Sequence, residues 1–374
     1  MKTFPTLYKK TATGATQQWT IFTEDNKYWT QAGQVDGAMI ESKPTVCSGK
    51  NLGKSNESSD EQQAILEAEA IIKKKLETGY TENIENIDTC YTYVKPQLAH
   101  KYIEYKDSVV WPCLASIKID GMRMINVKGA TTSRNGKPIV SCPHIGKALI
   151  PFFEKYPING MVDGEIFCNN EYFETIMSIV KKTKPTVDDL IESEKKAKLW
   201  VFDGITDNPK ERFDKRFLDI KQAIKETVSS ENLKYFVFVE NVVVNNHEEF
   251  MAEHDKYVAK GFEGVMLRYA NAPYENKRSK LLLKYKNFID DELIIDDILE
   301  GSGNDAGMAS KIVVKLKNGG TSEAGIKGTN EYTVQLLKDK NKYIGKLATV
   351  RYQGFTKEGK LRFGVVHAID PFDR

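Results

Sequence analysis

The chain has 374 residues, which is too long for one ordinary hydrophobic core, so about two or three domains are expected. Its net charge is +2, so any basic surface for a nucleic acid must be local rather than global. The 5 cysteines form no C-x-x-C pair, and neither a signal peptide nor an apolar run long enough for a membrane is present, so we expect a reducing, cytoplasmic location without zinc fingers or membrane partners.

Residues 1–95 form the first predicted domain, a small α+β module. Apolar residues at 19–23 and 28–30 predict strands. Ser59 followed by Gln62 is a capping box, and a buried stripe at helical spacing follows it. We therefore predict a helix that begins after Ser59 and ends near Gly79.

Residues 96–288 alternate short apolar strands with helices, as α+β domains do. The character of the chain changes at residue 289. Strands are predicted at 293–299, 311–316, 347–352 and 361–368, with one short helix at 332–337. Several short strands with one helix indicate a small β-barrel, and an OB-fold is the most typical case.

Residues 118–123 read Lys-Ile-Asp-Gly-Met-Arg and are the most informative motif of the chain. The motif places Lys118 at the end of an apolar strand, followed by an acid, a turn glycine and Arg123. A lysine amine attacks an electrophile only when it is neutral, and burial or a neighbouring cation favours that form. The pattern suits a covalent lysine intermediate on a phosphate-bearing substrate, although an isolated lysine at a strand end is usually a surface residue.

Three later motifs can complete a nucleotide site. Arg134 lies in a turn and can grip a phosphate in a bidentate fork. Asp163 and Glu165 share one strand face, where a carboxylate can bind a ribose hydroxyl or a divalent metal. Phe202 ends an apolar strand and can stack on a purine. Each of these residues has an ordinary structural explanation when it is considered alone.

Two further motifs close the set. Glu263 stands just before an apolar strand, where a metal-coordinating role is reasonable. Lys284 and Lys286 are two residues apart, so both amines point to one face of a strand that is otherwise apolar. An anion between the two cations would relieve their repulsion. Together the motifs would bind and attack a nucleoside triphosphate without a glycine-rich loop.

In this order, the motifs resemble those of the covalent nucleotidyltransferase superfamily and, within it, of ATP-dependent DNA ligases. The resemblance runs from Pro96 to the C-terminus. It implies an ATP-grasp-like adenylation domain at 96–288 and an OB-fold domain at 289–374, in a compact enzyme of viral or phage type. Residues 1–95 resemble the DNA-binding WGR-type module of some poly(ADP-ribose) polymerases, although Gln31-Ala-Gly33 stands near the place of the Trp-Gly-Arg triplet.

The resemblance also implies the role of each site residue. Lys118 would be the nucleophile that carries AMP. The nucleotide-binding residues would be Ser116, Ile117, Arg123, Arg134, Glu165, Phe202, Glu263, Lys284 and Lys286. Glu165 and Glu263 would also bind Mg²⁺ or Mn²⁺.

The C-terminal motif departs from the family pattern. Arg362 is followed by Phe-Gly without the usual proline, and Asp370 stands about where a second arginine is expected. The resemblance therefore leaves open whether Arg362 or Arg374 orients the pyrophosphate.

The expected activity is sealing of nicks in duplex DNA by a monomer that uses ATP and a divalent metal, in DNA repair, replication or recombination. The location would be the cytoplasm, that of the host if the source is viral. An RNA ligase or an mRNA-capping guanylyltransferase shares the lysine motif. An NAD-dependent ligase or a DNA-binding protein with an inactive core are weaker alternatives.

Overall fold

The structure is a computed structural model that describes residues 1–11, 14–53, 55–87, 94–169 and 171–369. The chain divides into two compact units. One unit comprises Met1–Tyr93, Asp290–Tyr352 and Phe363–Arg374, and the other comprises Val94–Ile289 and Gln353–Arg362. The division into three domains at residues 95 and 288 stays a prediction. Among the described residues, no helix is both long enough and apolar enough to cross a bilayer.

The N-terminal residues form a six-stranded sheet with one helix packed on it. The strands are β1 (Lys2–Thr3), β2 (Leu7–Lys10), β3 (Thr16–Glu24), β4 (Lys27–Gln34), β5 (Met39–Glu41) and β6 (Thr45–Val46), and the helix is α1 (Asp60–Leu76). Trp19 and Ile21 of β3 pack on Ala68 of α1. The predicted capping box of Ser59 and Gln62 is present at the start of α1, so the beginning of this helix is confirmed. Similarity of this module to WGR domains stays a prediction.

The second unit contains two five-stranded sheets. Its strands are β7 (Leu98–Lys101), β8 (Cys113–Lys118), β9 (Met122–Val127), β10 (Ala130–Ser133), β11 (Met161–Phe167), β12 (Lys198–Ile205), β13 (Phe236–Phe238), β14 (Val242–Val244), β15 (Gly264–Arg268) and β16 (Arg278–Lys286). Its helices are α2 (Pro143–Ala148), α3 (Ile150–Lys155), α4 (Phe173–Val180), α5 (Val187–Lys196), α6 (Phe213–Thr227) and α7 (His247–Ala259).

The strand order is β10-β9-β11-β12-β13 in the first of these sheets and β14-β8-β15-β16-β7 in the second. The largest core lies between the first sheet and helices α2, α3, α4 and α6, and it includes Ile145, Phe152 and Ile220. A second core lies beneath α7, where Phe250 packs against Val265 of β15. Both sheets are therefore held rigidly by helices, and the residues that the sequence analysis selected lie on these sheets or beside them.

The C-terminal strands close into a barrel of the order β17-β18-β19-β21-β20, which is consistent with the predicted OB-fold. Its elements are β17 (Ile289–Glu300), β18 (Ala309–Lys315), β19 (Thr321–Ile326), α8 (Asn330–Lys338), α9 (Lys340–Tyr343), β20 (Leu347–Tyr352) and β21 (Val365–Ile369). The sequence analysis missed β19. This strand carries small and polar residues, and Ser322 and Ala324 are the ones that it buries, so it lacks the bulky apolar alternation of an ordinary strand.

Candidate active site

The candidate site lies on the face of the second sheet where β8, β15 and β16 run side by side. The antiparallel register places Gly264 of β15 opposite both Lys118 and Lys286. It places Met266 opposite both Ser116 and Lys284. Because residues two apart share a face, the two predicted lysine motifs meet on one side of the sheet, although more than 160 residues separate them in the sequence.

A glycine is required at the centre of this row. Gly264 has a φ of +154°, and a Cβ there would overlap the carbonyl oxygen of Tyr285 and lie 3.1 Å from the Cα of Lys286. The neighbouring side chains of Lys118 and Lys286 both ion-pair with Glu263, the residue before Gly264.

Glu263 is therefore a carboxylate clamped between two lysines. Its side chain is 5% exposed, whereas Lys118 is 17% exposed and Lys286 is 25% exposed. Burial opposes ionisation of Glu263, but the two ammonium groups outweigh it and hold its pKa below the ordinary value. The backbone N–H of Glu263 also donates to the carbonyl oxygen of Lys118 at 3.1 Å.

A cavity of about 390 Å³ opens above these strands. It is lined by residues of both sheets and of α4. Of the predicted site residues, the lining includes Ser116, Ile117, Lys118, Arg123, Arg134, Glu165, Phe202 and Lys284. Glu263 and Lys286 are connected to the cavity through Lys118. All the side chains that the sequence analysis selected are thus brought to one place, while their individual roles stay predictions.

Lys284 is a half-buried cation in the cavity wall. Burial lowers its pKa to about 8, and the positive charges of Lys286 and Lys118 act in the same direction. An anion such as a phosphate would further stabilise the charged form of Lys284.

Glu165 differs from Lys284, because neighbouring cations favour its ionised form while burial opposes it. Burial raises its pKa to about 7, although Lys118 and Arg123 favour the carboxylate. Glu165 lies on β11 directly opposite Arg123 of β9. Asp163, two residues earlier, is completely buried and forms a bidentate pair with the same arginine. Asp163 and Glu165, which the sequence places on one strand face, therefore have different surroundings. Asp163 is paired with Arg123, whereas Glu165 lines the cavity.

Phe202 lies on the cavity wall, on β12. The guanidinium of Arg123 packs against its ring at 5.2 Å from the ring centre. The remaining face of the ring can receive a purine, with Met266 among the other lining residues.

The sequence analysis missed a buried charge network behind the cavity. Asp203 accepts hydrogen bonds from Arg216 at 2.9 and 3.0 Å and is also paired with Arg268, which lines the cavity. Burial by itself would raise the pKa of Asp203, but the two arginines outweigh this effect and hold the pKa below its ordinary value. The sequence did contain a signal for this network. Arg216 stands on the apolar face of a helix beside Phe213 and Phe217, and a charge in such a position requires a partner.

The motif acid Asp120 also has a partner that sequence reasoning did not anticipate. Arg362, which belongs to the same compact unit, is paired with the Asp120 carboxylate, and its guanidinium lies 4.5 Å from the ring centre of Phe173. The other candidate, Arg374, lies outside the described residues.

Metal binding by Glu165 and Glu263 stays a prediction. Among the described residues, no group of three or more His, Cys, Asp and Glu side chains converges on one point. Magnesium is commonly held by one or two carboxylates together with substrate phosphates and water. Glu165, which lines the cavity, and Glu263, which is paired with Lys118, are the carboxylates that would supply oxygen donors of this kind.

These features define a class of protein. A lysine that is clamped by an acid in a cavity between two sheets, with a β-barrel later in the same chain, is the arrangement of a nucleotidyltransferase. Residues 96–286, just over half of the chain, match the family model for the ATP dependent DNA ligase domain. The chain therefore belongs to the ATP-dependent DNA ligases, enzymes that form phosphodiester bonds in DNA through a lysine–AMP intermediate.

Individual relatives agree with this family. The DNA ligase of Haemophilus influenzae is 26% identical over 262 residues, which cover 69% of this chain and 87% of that protein. A DNA ligase of African swine fever virus is 25% identical over 288 residues and is covered to 65% of its own length. A solved structure of a Lig E DNA ligase has a TM-score of 0.59 at 24% identity and covers 73% of this chain and 98% of that one, which supports the fold.

Proposed function

We propose that Lys118 is the nucleophile of this ligase and that the residues around it carry the roles that the resemblance implies. The observation that supports this most strongly is the cluster of Lys118, Glu263 and Lys286 at the edge of the 390 Å³ cavity. A lysine in a solvated strand end has no such environment. The cations and carboxylates near Lys118 are of the kinds that a phosphoryl-transfer nucleophile needs, which supports the proposal.

In the first step, the neutral amine of Lys118 attacks the α-phosphorus of ATP. A P–N bond forms, the bond to pyrophosphate breaks, and the amine proton is released. Lys284 and Lys286 lie on the same strand face and would stabilise the charge on the phosphate oxygens. Before it attacks, Lys118 would leave its ion pair with Glu263 and give up its ammonium proton to water.

The nucleoside would occupy the cavity between the two sheets. Phe202 would stack on the adenine, and the backbone of Ser116 and Ile117 would contact its edge. Glu165 would bind the ribose hydroxyls. Its raised pKa suits a group that must accept a hydrogen bond or a metal, because either one stabilises the carboxylate on binding.

The second and third steps would use the same cavity. AMP passes from Lys118 to the 5′-phosphate of a nick, and the 3′-hydroxyl then displaces AMP. Arg134, at the cavity wall, would hold the 5′-phosphate. Glu165 and Glu263 would hold magnesium or manganese, which would neutralise phosphate charge.

Arg362 is our candidate for the arginine that orients the pyrophosphate. Its pairing with Asp120, two residues after Lys118, supports this choice over Arg374. The further proposals follow from the resemblance alone. The enzyme would act as a cytoplasmic monomer on nicked duplex DNA, through a three-domain chain whose residues 1–95 also bind DNA.

The test is covalent labelling with ATP that carries the label on its α-phosphate, followed by sealing of a nicked DNA duplex. Wild type should acquire AMP and seal the nick, and Lys118→Ala should do neither. Lys280→Ala is the matched control, because Lys280 lies in β16 but does not line the cavity, and it should behave like wild type. Normal labelling of Lys118→Ala would exclude the assignment. Labelling by GTP instead, or sealing of RNA nicks alone, would favour the alternative enzymes.

A further inference from the structure

A buried tyrosine lies behind the nucleotide cavity and does not line it. Tyr274 is 5% exposed, and its ring packs in a small apolar cluster with Ile125, Met161 and Ile205. Its backbone N–H donates to the carbonyl oxygen of Pro209 at 2.9 Å. Backbone and ring are thus held independently of the hydroxyl group.

The hydroxyl of Tyr274 joins two separate parts of the chain. It donates to Oδ2 of Asp163 at 2.6 Å, and it accepts a hydrogen bond from the backbone N–H of Gln97 at 3.2 Å. Burial raises the pKa of Tyr274 well above the ordinary value, and the Asp163 carboxylate adds to the effect, so the hydroxyl remains a donor throughout the working range of pH.

Asp163, which is held by the hydroxyl of Tyr274, in turn holds Arg123. The Nε and Nη2 groups of Arg123 donate to the two carboxylate oxygens at 2.8 and 2.5 Å, and Nη1 donates to the carbonyl oxygen of Gln97 at 2.8 Å. A side-on arginine–carboxylate pair needs the two planar groups to be coplanar. A third hydrogen bond to the carboxylate, from Tyr274, stops the carboxylate from rotating out of that plane.

Arg123 in turn supports Phe202. The guanidinium lies 5.2 Å from the centre of the phenyl ring, and both residues line the cavity. Three of the five N–H groups of Arg123 are used by Asp163 and Gln97, so the plane of the guanidinium is fixed from behind. The ring that would receive the base therefore rests on a surface whose angle is set by the network.

We propose that Tyr274 is a positioning residue for nucleotide binding, which acts through Asp163 and Arg123 on the ring of Phe202. This inference rests on the proposed function, because it takes the cavity as the site of ATP. Loss of the hydroxyl leaves the charges and the packing in place, but it frees the carboxylate and the guanidinium to tilt. The base then stacks on a less well oriented ring, while Lys118 and the strands around it are unchanged.

The experiment compares Tyr274→Phe with Tyr102→Phe in the full chain. Tyr102 is the matched control, because it is buried in the other core of the same unit, its hydroxyl is 2.8 Å from Nδ1 of His247, and it does not line the cavity. The rate of AMP attachment is measured against ATP concentration, together with Tm. We expect Tyr274→Phe to raise the half-saturating ATP concentration about five- to tenfold with little change in the maximal rate. Tyr102→Phe should lower Tm without changing either kinetic quantity.

A double-mutant cycle with Phe202→Leu separates positioning from general destabilisation. If Tyr274 acts through Phe202, Tyr274→Phe should have a much smaller effect on ATP saturation once the aromatic ring is gone. If Tyr274→Phe does not fold, Asp163→Asn takes its place in the cycle.

Equal ATP saturation in Tyr274→Phe and Tyr102→Phe would overturn the inference, as would independent effects in the cycle. Absence of AMP labelling in wild type would refute the proposed function itself, so the two failures are distinguishable.

Discussion

Gly264→Ala is the most direct test of how the active site is built. The substitution adds one methyl group, and in a flat region of a strand it would be nearly neutral. At Gly264 the new Cβ would overlap the Tyr285 carbonyl oxygen and lie 3.1 Å from the Cα of Lys286. Because ordinary contacts between carbon atoms lie at about 3.5–4.0 Å, β15 and β16 must separate on the order of 1 Å.

That displacement acts on the row of side chains to which we assign the chemistry. Gly264 faces Lys118 on one side and Lys286 on the other. Overpacking of this kind costs about 1–3 kcal/mol of stability, and a misplacement of about 1 Å can cost about a hundredfold in rate. We expect Gly264→Ala to fold with a reduced Tm and to attach AMP at least about a hundredfold more slowly than wild type.

The assay is the time course of AMP attachment at saturating ATP, with Tm measured on the same samples. Gly325→Ala is the control, because Gly325 also lies in a strand but a Cβ there would meet only the carbonyl oxygen of Gly364 at 3.8 Å. It should retain the wild-type rate. A Gly264→Ala enzyme that labels as fast as Gly325→Ala would refute the argument that the close strand approach positions the lysines.

Three further predictions follow from the charges. Lys286→Ala should strongly reduce AMP attachment, because Glu263 loses a cation and, in the proposed mechanism, so does the α-phosphate. Unchanged labelling would exclude the phosphate role of Lys286. The Tm of Glu165→Gln relative to that of wild type should increase as pH rises from about 5 to 8. The reason is that native wild type holds a proton on Glu165 up to about pH 7 and the unfolded chain releases it earlier, so wild type loses stability in this window. A pH-independent difference between the two Tm values would contradict this. Asp203→Asn should cost about 3–5 kcal/mol of unfolding free energy in urea because two buried arginines lose their counter-charge, whereas Asp290→Asn, which breaks a surface pair, should cost about 0–1 kcal/mol. Equal losses in these two variants would count against the buried network.

The side chains of the site could be selected from the sequence because each interrupts a local pattern. Lys118, Glu165 and Lys284 are charges next to apolar residues in strands, and alternation along a strand predicts which neighbours share their face. The capping box at Ser59 was equally local, and the structure confirms it. The strand β19 was missed because small buried residues leave no local pattern.

Contacts between residues that are distant in the sequence could not be predicted in this way. The sequence indicates that Glu263 stands just before an apolar strand and that Arg123 ends a motif. It contains no signal that Glu263 pairs with two lysines or that Arg123 is held by Asp163 and Gln97. Such pairs depend on the register between strands that are distant in the sequence, and register is set by the packing of whole sheets.

The sequence by itself determined which residue types this protein contains and in what order: a lysine that is predicted to be the nucleophile, acids, arginines, an aromatic ring and a pair of lysines in family order, followed by a barrel. Only the tertiary structure decided which of these residues line the cavity and which hold other residues in place. The sequence alone does not distinguish Asp163 and Asp203 from Glu165, because all three are carboxylic acids in strands. In the structure, Asp163 and Asp203 lie behind the cavity and bind arginines, whereas Glu165 lines it. The physical reason is that burial and ion pairing are properties of the assembled sheets, and they set the charge and the orientation of each group after the local sequence has fixed its type.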